Sequence, residues 1–240
     1  MSDRFFCPHI SDSSVTLTDA EAHHALHVRR LKAGDSLRLF DGAGTTAEAV
    51  VKQTGRQDLT VSVLTKSYVE RRSVGRVSVA ACVPRGDRVK WMVEKLTEIG
   101  VDRFIPLHTE RSSGLSAAKL RKLSATVIAA AKQCRRSWLM EIGQMQPLNE
   151  LLKTADQAAS LVIAHPPGPD DACQLKVSGR PNCDVIVLIG PEGGFTDEEV
   201  AAAEQKSAAR VTWPGGILRT ETAAVVVAAL VLAGRPLTSE

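Results

Sequence analysis

Aromatic residues are few: five Phe, three Trp and one Tyr among 240 residues, which disfavours a sheet that reads nucleic acid by stacking bases on rings. Cysteine is scarce and odd in number. Cys7, Cys82, Cys134, Cys173 and Cys183 contain no C-x-x-C pair, so the sequence suggests neither a disulfide framework nor a zinc knuckle, and the thiols are expected reduced and mostly buried. A large charge excess is also missing, since 30 basic against 27 acidic residues leave only +3. That is too little to coat nucleic acid by bulk charge, and any RNA contact must come from a local patch. The longest apolar run, Ala223–Ala233, has eleven residues, against the roughly 20 of a membrane-spanning helix. The opening MSDRFFCPHI has no basic stretch leading into an apolar one, so no secretory signal is read and a cytoplasmic location, with no membrane partner, is expected. What is present is ordinary globular composition, 44% hydrophobic and 24% charged, in a chain long enough for one large domain or one plus a small partner.

The first seventy or so residues alternate short apolar runs with turn signals. Val15–Leu17, Ser36–Phe40, Ala47–Val51 and Leu59–Leu64, punctuated by Asp41-Gly42 and Gly55, read as a small β-rich module. Within it Thr18-Asp19-Ala20-Glu21 has the form of a capping box opening a helix to about Arg30, ended by Gly34. The pattern lapses through Tyr68–Gly75, which places a boundary near Arg72 and predicts domains 1–72 and 73–240. Beyond it the rhythm is strand, loop, helix. Val77–Val83 reads as a buried strand, and Asp87 as the cap of a helix whose Val89, Met92, Val93, Leu96 and Ile99 form one apolar face before Gly100. Then follow a strand at Arg103–Leu107 and helices at Ala117–Cys134 and Leu148–Lys153. Strands are read at Leu161–Ala164, Val185–Ile189 and Arg210–Trp213. Thr196-Asp197-Glu198-Glu199 caps a helix, and Thr220–Ala233 closes the chain as an almost wholly apolar one. The expected class is α/β, with a mainly parallel sheet covered on both faces.

Two glycine-rich turns stand at predicted strand ends. Val185–Ile189 runs into Gly190-Pro191-Glu192-Gly193-Gly194, where glycines let backbone approach a ligand at the carboxyl edge of the sheet. A plain strand-to-helix turn would need one glycine and a cap, so a small-molecule pocket is the stronger reading. The spacing is neither the dinucleotide fingerprint nor a P-loop. The second turn, Trp213-Pro214-Gly215-Gly216-Ile217-Leu218-Arg219-Thr220-Glu221-Thr222, leads into the closing helix. Helix capping accounts for Thr220 or Thr222, but not for an arginine and a carboxylate at the mouth of a buried helix. A third feature is electrostatic. Arg111, Lys119, Arg121, Lys122, Lys132, Arg135 and Arg136 lie within Arg111–Met140, a stretch without a carboxylate. With Leu120, Leu123, Val127 and Ala131 on one helix face, Lys119, Lys122 and Lys132 are left to meet phosphates. Finally, His23 and His24 point about 100° apart on a helix, which argues against a metal and for a polar or RNA-facing helix that also carries His27, Arg29 and Arg30.

The segments RFF, Leu17–Gly42, Gly86–Leu107, IGPEGGFTDEE (Ile189–Glu199) and ILRTETA (Ile217–Ala223) resemble, in order and nearly end to end, the bacterial ribosomal RNA uridine-N3-methyltransferases of the RsmE family. The resemblance implies a PUA-like β-barrel RNA-binding domain followed by a SPOUT methyltransferase domain with a trefoil knot. It implies S-adenosylmethionine as donor, S-adenosylhomocysteine as product and no metal. It also implies a homodimer, and one uridine of the small-subunit (16S) ribosomal RNA or 30S subunit as target. The chain departs from the family pattern at Trp213-Pro214-Gly215-Gly216, where an arginine is usual, at Arg135, where glycine is frequent, and at Trp138-Leu139-Met140.

Methyl transfer to uracil N3 requires the N3 proton to leave and charge on O2 and O4 to be stabilised. Arg219 is the expected cation, with Glu221 or Glu192 as the base. The donor is expected among Ala164, His165 and Pro166; Ile189, Gly190, Pro191, Glu192, Gly193 and Gly194; and Trp213, Gly215, Ile217, Leu218, Thr220 and Thr222. RNA contacts are expected from Arg4, His24, Arg29, Arg30, Arg111, Lys119, Lys122, Lys132, Arg135 and Arg136. A non-catalytic RNA-binding assembly factor, or a methyltransferase acting on ribose 2′-O or guanine N1, are the alternatives that the same residues leave open.

Overall fold

The computed structural model describes residues 3–71, 75–114, 116–155, 159–166 and 183–235. Cys173 and the boundary residue Arg72 lie outside them. The chain forms two compact units, Met1–Arg71 with Ala131–Leu139, and Arg72–Ala130 with Met140–Ser239. A segment from the middle of the chain thus packs with the first unit, which a single boundary near 72 does not anticipate.

The first unit is a five-stranded sheet of β1 (Asp3–Phe6), β2 (Ser14–Leu17), β3 (Ser36–Phe40), β4 (Thr45–Thr54) and β5 (Leu59–Tyr68), in the order β1-β3-β4-β5-β2. β1, too short to be legible in the sequence, runs parallel to β3, and the other pairs are antiparallel. Alternate residues Leu37, Leu39, Ala47, Ala49, Val51, Leu59 and Val61 turn inward around Phe5, the period-two pattern of a half-buried sheet. Asp41 Oδ1 accepts from the N–H groups of Ala43 and Thr45, closing the β3–β4 turn. There Gly44 sits at φ +99°, and a Cβ would come within 2.7 Å of the Trp138 ring.

Between β2 and β3 lie α1 (Asp19–His23) and one π-helical turn, His24–Val28. The expected capping box does not form. The Thr18 hydroxyl donates to Asp19, while the Glu21 carboxylate accepts from the Phe6 N–H at 3.1 Å and from Lys132 Nζ at 2.8 Å. A strand amide and a full positive charge outcompete the local cap. His24 packs edge-on to Phe5, and its pKa is lowered, chiefly by burial and then by Lys132 and Arg29, against Glu21 and Asp3. The folded state therefore favours neutral imidazole and binds fewer protons than the unfolded chain below the ordinary value of 6.5. Stability is full above that pH and is lost on acidification. A melting temperature that falls from neutral pH to about pH 5 more steeply than that of His24→Phe is the expected result; equal slopes would remove His24 as the cause.

The second unit is an all-parallel sheet of β6 (Val77–Cys82), β7 (Arg103–His108), β8 (Glu141–Ile142), β9 (Gln146–Pro147), β10 (Ser160–Ala164), β11 (Val185–Ile189) and β12 (Ala209–Val211). The order is β12-β10-β11-β6-β7-β8, with β9 also on β7. Its helices are α2 (Arg88–Ile99), α3 (Ala117–Cys134, of which the residues from Ala131 on are grouped with the first unit), α4 (Leu148–Thr154), α5 (Asp197–Gln205) and α6 (Thr220–Ala233). Leu188 and Ile163 join α4 and α5 in one core, whereas α6 packs on β6 and β11. Both faces are covered, which is why these strands read as continuous apolar runs. Gly100 ends α2 at φ +96° and Thr196 with Glu199 forms a complete capping box, both as expected. Asp87 flanks α2 without a side-chain cap bond. No helix among the described residues is long and apolar enough to cross a membrane.

Candidate active site

Because β12, β10 and β11 are adjacent and parallel, the loops leaving their carboxyl ends gather on one edge of the sheet, where open α/β sheets place ligands. They enclose a cavity of about 230 Å³. The first loop contributes Ala164, His165 and Pro166; the second Ile189, Gly190, Pro191, Glu192, Gly193 and Gly194; the third Trp213, Ile217 and Leu218. The start of α6 closes it with Thr220. Four glycines, counting Gly216, present nothing but backbone to this space. Gly194 takes φ +70°, a left-handed turn that a side chain would strain. A Cβ on Gly190 would press on Phe195 at 3.1 Å.

Two expected donor residues do not line the cavity. Gly215 packs against Trp213, whose Nε1 would lie 2.8 Å from a Cβ there. Thr222 is two positions past Thr220, so it points about 200° around the helix. In its place stands a stripe that the sequence reading missed: Ala223, Val227 and Leu230, with Phe195 and Val211. Their spacing along α6 is helical and was available, but a helix apolar on every side does not reveal which side faces a cavity.

Thr220 does not cap α6. Arg219 occupies that position without a side-chain cap bond, and the Thr220 hydroxyl instead donates to the Gly190 carbonyl at 3.1 Å, tying the helix to the glycine turn. Thr220→Val should cost about 1 kcal/mol of stability and weaken donor binding several-fold, read by thermal melting and calorimetry. Unaltered values for both would make the bond incidental.

The carboxylates divide. Glu192 lines the cavity and is half-exposed, with Arg88 Nη2 at 3.3 Å. Glu221 is only 6% exposed and does not line it. Its Oε1 lies 3.7 Å from Arg88 Nη1, and its Oε2 is buried without a hydrogen-bond partner among the described residues. Arg88, the first residue of α2, therefore bridges both acids; in the sequence it looked like an unremarked helix start. Arg219 is exposed beside the cavity, between the lining residues Leu218 and Thr220. Arg111 Nη1 donates to the Gly193 carbonyl at 2.9 Å, so it braces the glycine turn rather than standing free for phosphate. The Cys82 thiol, at the end of β6, is pushed up to about 11, burial outweighing its bonds to Thr109 and Ser112. It stays protonated and is no nucleophile at neutral pH.

The other residues expected to meet RNA are spread over both units. Lys119 and Lys122 are exposed on α3. Lys132 is paired with Glu21 and Arg29 with Asp3. Arg136 is 7% exposed, and His24 is held neutral above its lowered pKa. Arg30 and Arg135 are exposed, both at positive φ, and Arg4 lies over Phe40. No group of three or more His, Cys, Asp or Glu among the described residues could hold a metal ion.

Residues 70–232 match the RNA methyltransferase domain family and residues 17–64 the RNA methyltransferase PUA domain family. A relative from Synechocystis, ribosomal RNA small subunit methyltransferase E, is 30% identical over 92% of this chain and 73% of its own. The chain belongs to the RsmE family. An RsmE structure from Neisseria gonorrhoeae, solved bound to S-adenosyl methionine, superposes with a TM-score of 0.87 at 26% identity, over 98% of both chains. A probable rRNA-methyltransferase from Porphyromonas gingivalis gives 0.87 at 33% identity, covering 96% of this chain and 97% of that one. The α/β class, the mostly parallel sheet and the amino-terminal PUA-like domain are thus those of RsmE structures.

Proposed function

We propose that this RsmE-family chain transfers a methyl group from S-adenosylmethionine to N3 of a uridine in small-subunit ribosomal RNA. The observation that carries the reading is the cavity at three parallel strand ends, walled by four glycine backbones and by Ile189, Leu218, Val227 and Leu230. Such walls suit a flat heteroaromatic group that needs apolar faces and backbone hydrogen bonds at its edge. Its likeness to a chain that binds S-adenosyl methionine supports the same occupant here. The bound donor supplies an electrophilic methyl group.

The chain's own residues do the rest by positioning and electrostatics. Glu192, the carboxylate that lines the cavity, would accept the proton that N3 gives up; a donor held among the glycine turns would supply the methyl group that replaces it and would depart as S-adenosylhomocysteine. Arg219, at the mouth, stabilises the charge growing on O2 and O4. Arg88 holds Glu192 in place and uses buried Glu221 as its anchor, so Glu221 acts through Arg88. Ile217, 83% exposed, stands at the rim of the cavity and offers an apolar surface to the arriving substrate. The proposal extends to a domain division near residue 72, a trefoil knot in the carboxy-terminal domain, a homodimer and a cytoplasmic setting, which the family likeness supports. Nucleoside mass spectrometry after incubation with small subunits and donor is the test. N3-methyluridine is expected; 2′-O-methyl nucleoside or N1-methylguanosine would reassign the acceptor, and RNA binding without donor binding would leave an assembly factor.

A further inference from the structure

Glu192 and Glu221 share one cation, and neither is fully served by it. Arg88 opens α2, which packs against α6, and Glu221 lies in the first turn of α6. The guanidinium makes three contacts: Nε donates to the Arg85 carbonyl at 3.3 Å, Nη2 donates to Glu192 Oε1 at 3.3 Å, and Nη1 stands 3.7 Å from Glu221 Oε1. A charge-assisted N–H···O bond closes to about 2.7–2.9 Å. All three contacts are longer, so the guanidinium sits firmly on none of its partners. Glu221 is buried, and its Oε2 has no hydrogen bond among the described residues. Such a carboxylate carries a desolvation cost that the two-pronged grip of a guanidinium offsets. On those terms Glu221 should claim Arg88 outright. The charge that holds Arg88 back is that of half-exposed Glu192, the other carboxylate on the same guanidinium.

We infer that Arg88 changes partner in the course of the reaction: once Glu192 has taken the N3 proton and become neutral, the guanidinium leaves it and closes on Glu221 with two parallel hydrogen bonds, one of them to the bare Oε2. The inference rests on Glu192 being the proton acceptor, and it gives Glu221 a task beyond anchoring. Two carboxylates and one guanidinium sum to one negative charge before the proton moves and to none after it. Arg88 keeps its protons and Glu221 its charge throughout, and the N3 proton stays on Glu192 until water carries it away. A neutral carboxyl gives up only a long, weak bond, whereas a buried carboxylate gains a fork where water screens little. Because the fork forms only as the proton transfers, it stabilises the later state more than the earlier one, which is the condition for raising a rate. Arg88 and Glu221 are thus positioning residues that act through Glu192.

Glu192→Gln reproduces the protonated carboxyl in shape and charge. Its crystal structure should show Nη1 and Nη2 of Arg88 within about 3 Å of the two Glu221 oxygens. An Arg88 still lying between residues 192 and 221 would overturn the exchange. Turnover on small subunits gives a second reading. Glu221→Gln, which keeps the size of the side chain, should lower kcat roughly tenfold, the worth of one charge-assisted bond, with KM for the subunit and calorimetric affinity for S-adenosylmethionine unchanged. The same substitution added to Glu192→Gln should lower the residual kcat no further, since a neutral residue 192 has already released the guanidinium. An equal loss in both backgrounds would mean that Glu221 serves the fold alone, and the proposal would fall. Should Glu221→Gln not fold, the crystal structure of Glu192→Gln decides by itself. Full turnover by Glu192→Gln would remove the base of the proposed function, whereas a stationary Arg88 in an impaired Glu192→Gln protein would remove the exchange alone.

Discussion

Arg219→Ala should lower methyl transfer by about 10²–10³-fold, the usual consequence of removing one charge-stabilising donor from a transition state, while the affinity for S-adenosylmethionine stays within about threefold. The reason lies in where the residue stands. Leu218 and Thr220, its chain neighbours, line the proposed donor cavity, whereas Arg219 is exposed outside it. The extended backbone that precedes α6, at φ −66° and ψ 153°, puts its side chain outside the helix. In the proposed mechanism its task falls late in the reaction, when the proton has left N3 and negative charge spreads onto the two carbonyl oxygens. A guanidinium can meet such charge with paired hydrogen bonds, which an ammonium cannot reproduce, so Arg219→Lys should recover little. The loss should appear in kcat with KM for the small subunit little changed. Undiminished turnover on small subunits would remove Arg219 from the chemistry.

What could be seen in advance follows from how local each determinant is. The capping box at Thr196 and Glu199 was legible and real, whereas the same pattern at Thr18 and Glu21 was legible and false. The difference is Lys132, 111 residues away in the chain, whose charge claims the Glu21 carboxylate. No window of sequence contains that competitor. The parallel strands announced themselves because helices cover both faces, so both sets of alternating residues must be apolar. β1 is four residues long and owes its existence to β3, not to its own pattern. Of the site, the glycine turns could be read directly, since closely spaced glycines at a strand end have few other uses. Arg88 could not, because its role depends on the first turns of two helices and a glycine loop meeting, and nothing in GDRVK separates a bridging arginine from a solvated one.

Ala223→Phe should abolish donor binding, raising the dissociation constant for S-adenosylmethionine at least about 10²-fold, and with it all methyl transfer. Ala223, Val227 and Leu230 present one stripe of α6 to the cavity, and Ala223 is only partly buried. A phenyl ring there enters open space of about 230 Å³ rather than a packed interior, so the protein should still fold, with a melting temperature within a few degrees of the parent. Ala224, one residue on and about 100° around the helix, is fully buried. Ala224→Phe must displace neighbouring core atoms and should cost roughly 1–3 kcal/mol or more. The pair separates two causes that a single variant confounds. Loss of donor binding at 223 with the fold intact, alongside loss of stability at 224, assigns the cavity side of the helix. A folded Ala223→Phe protein with parental affinity for the donor would mean that the coenzyme binds elsewhere, and the assignment of the glycine turns would fall with it.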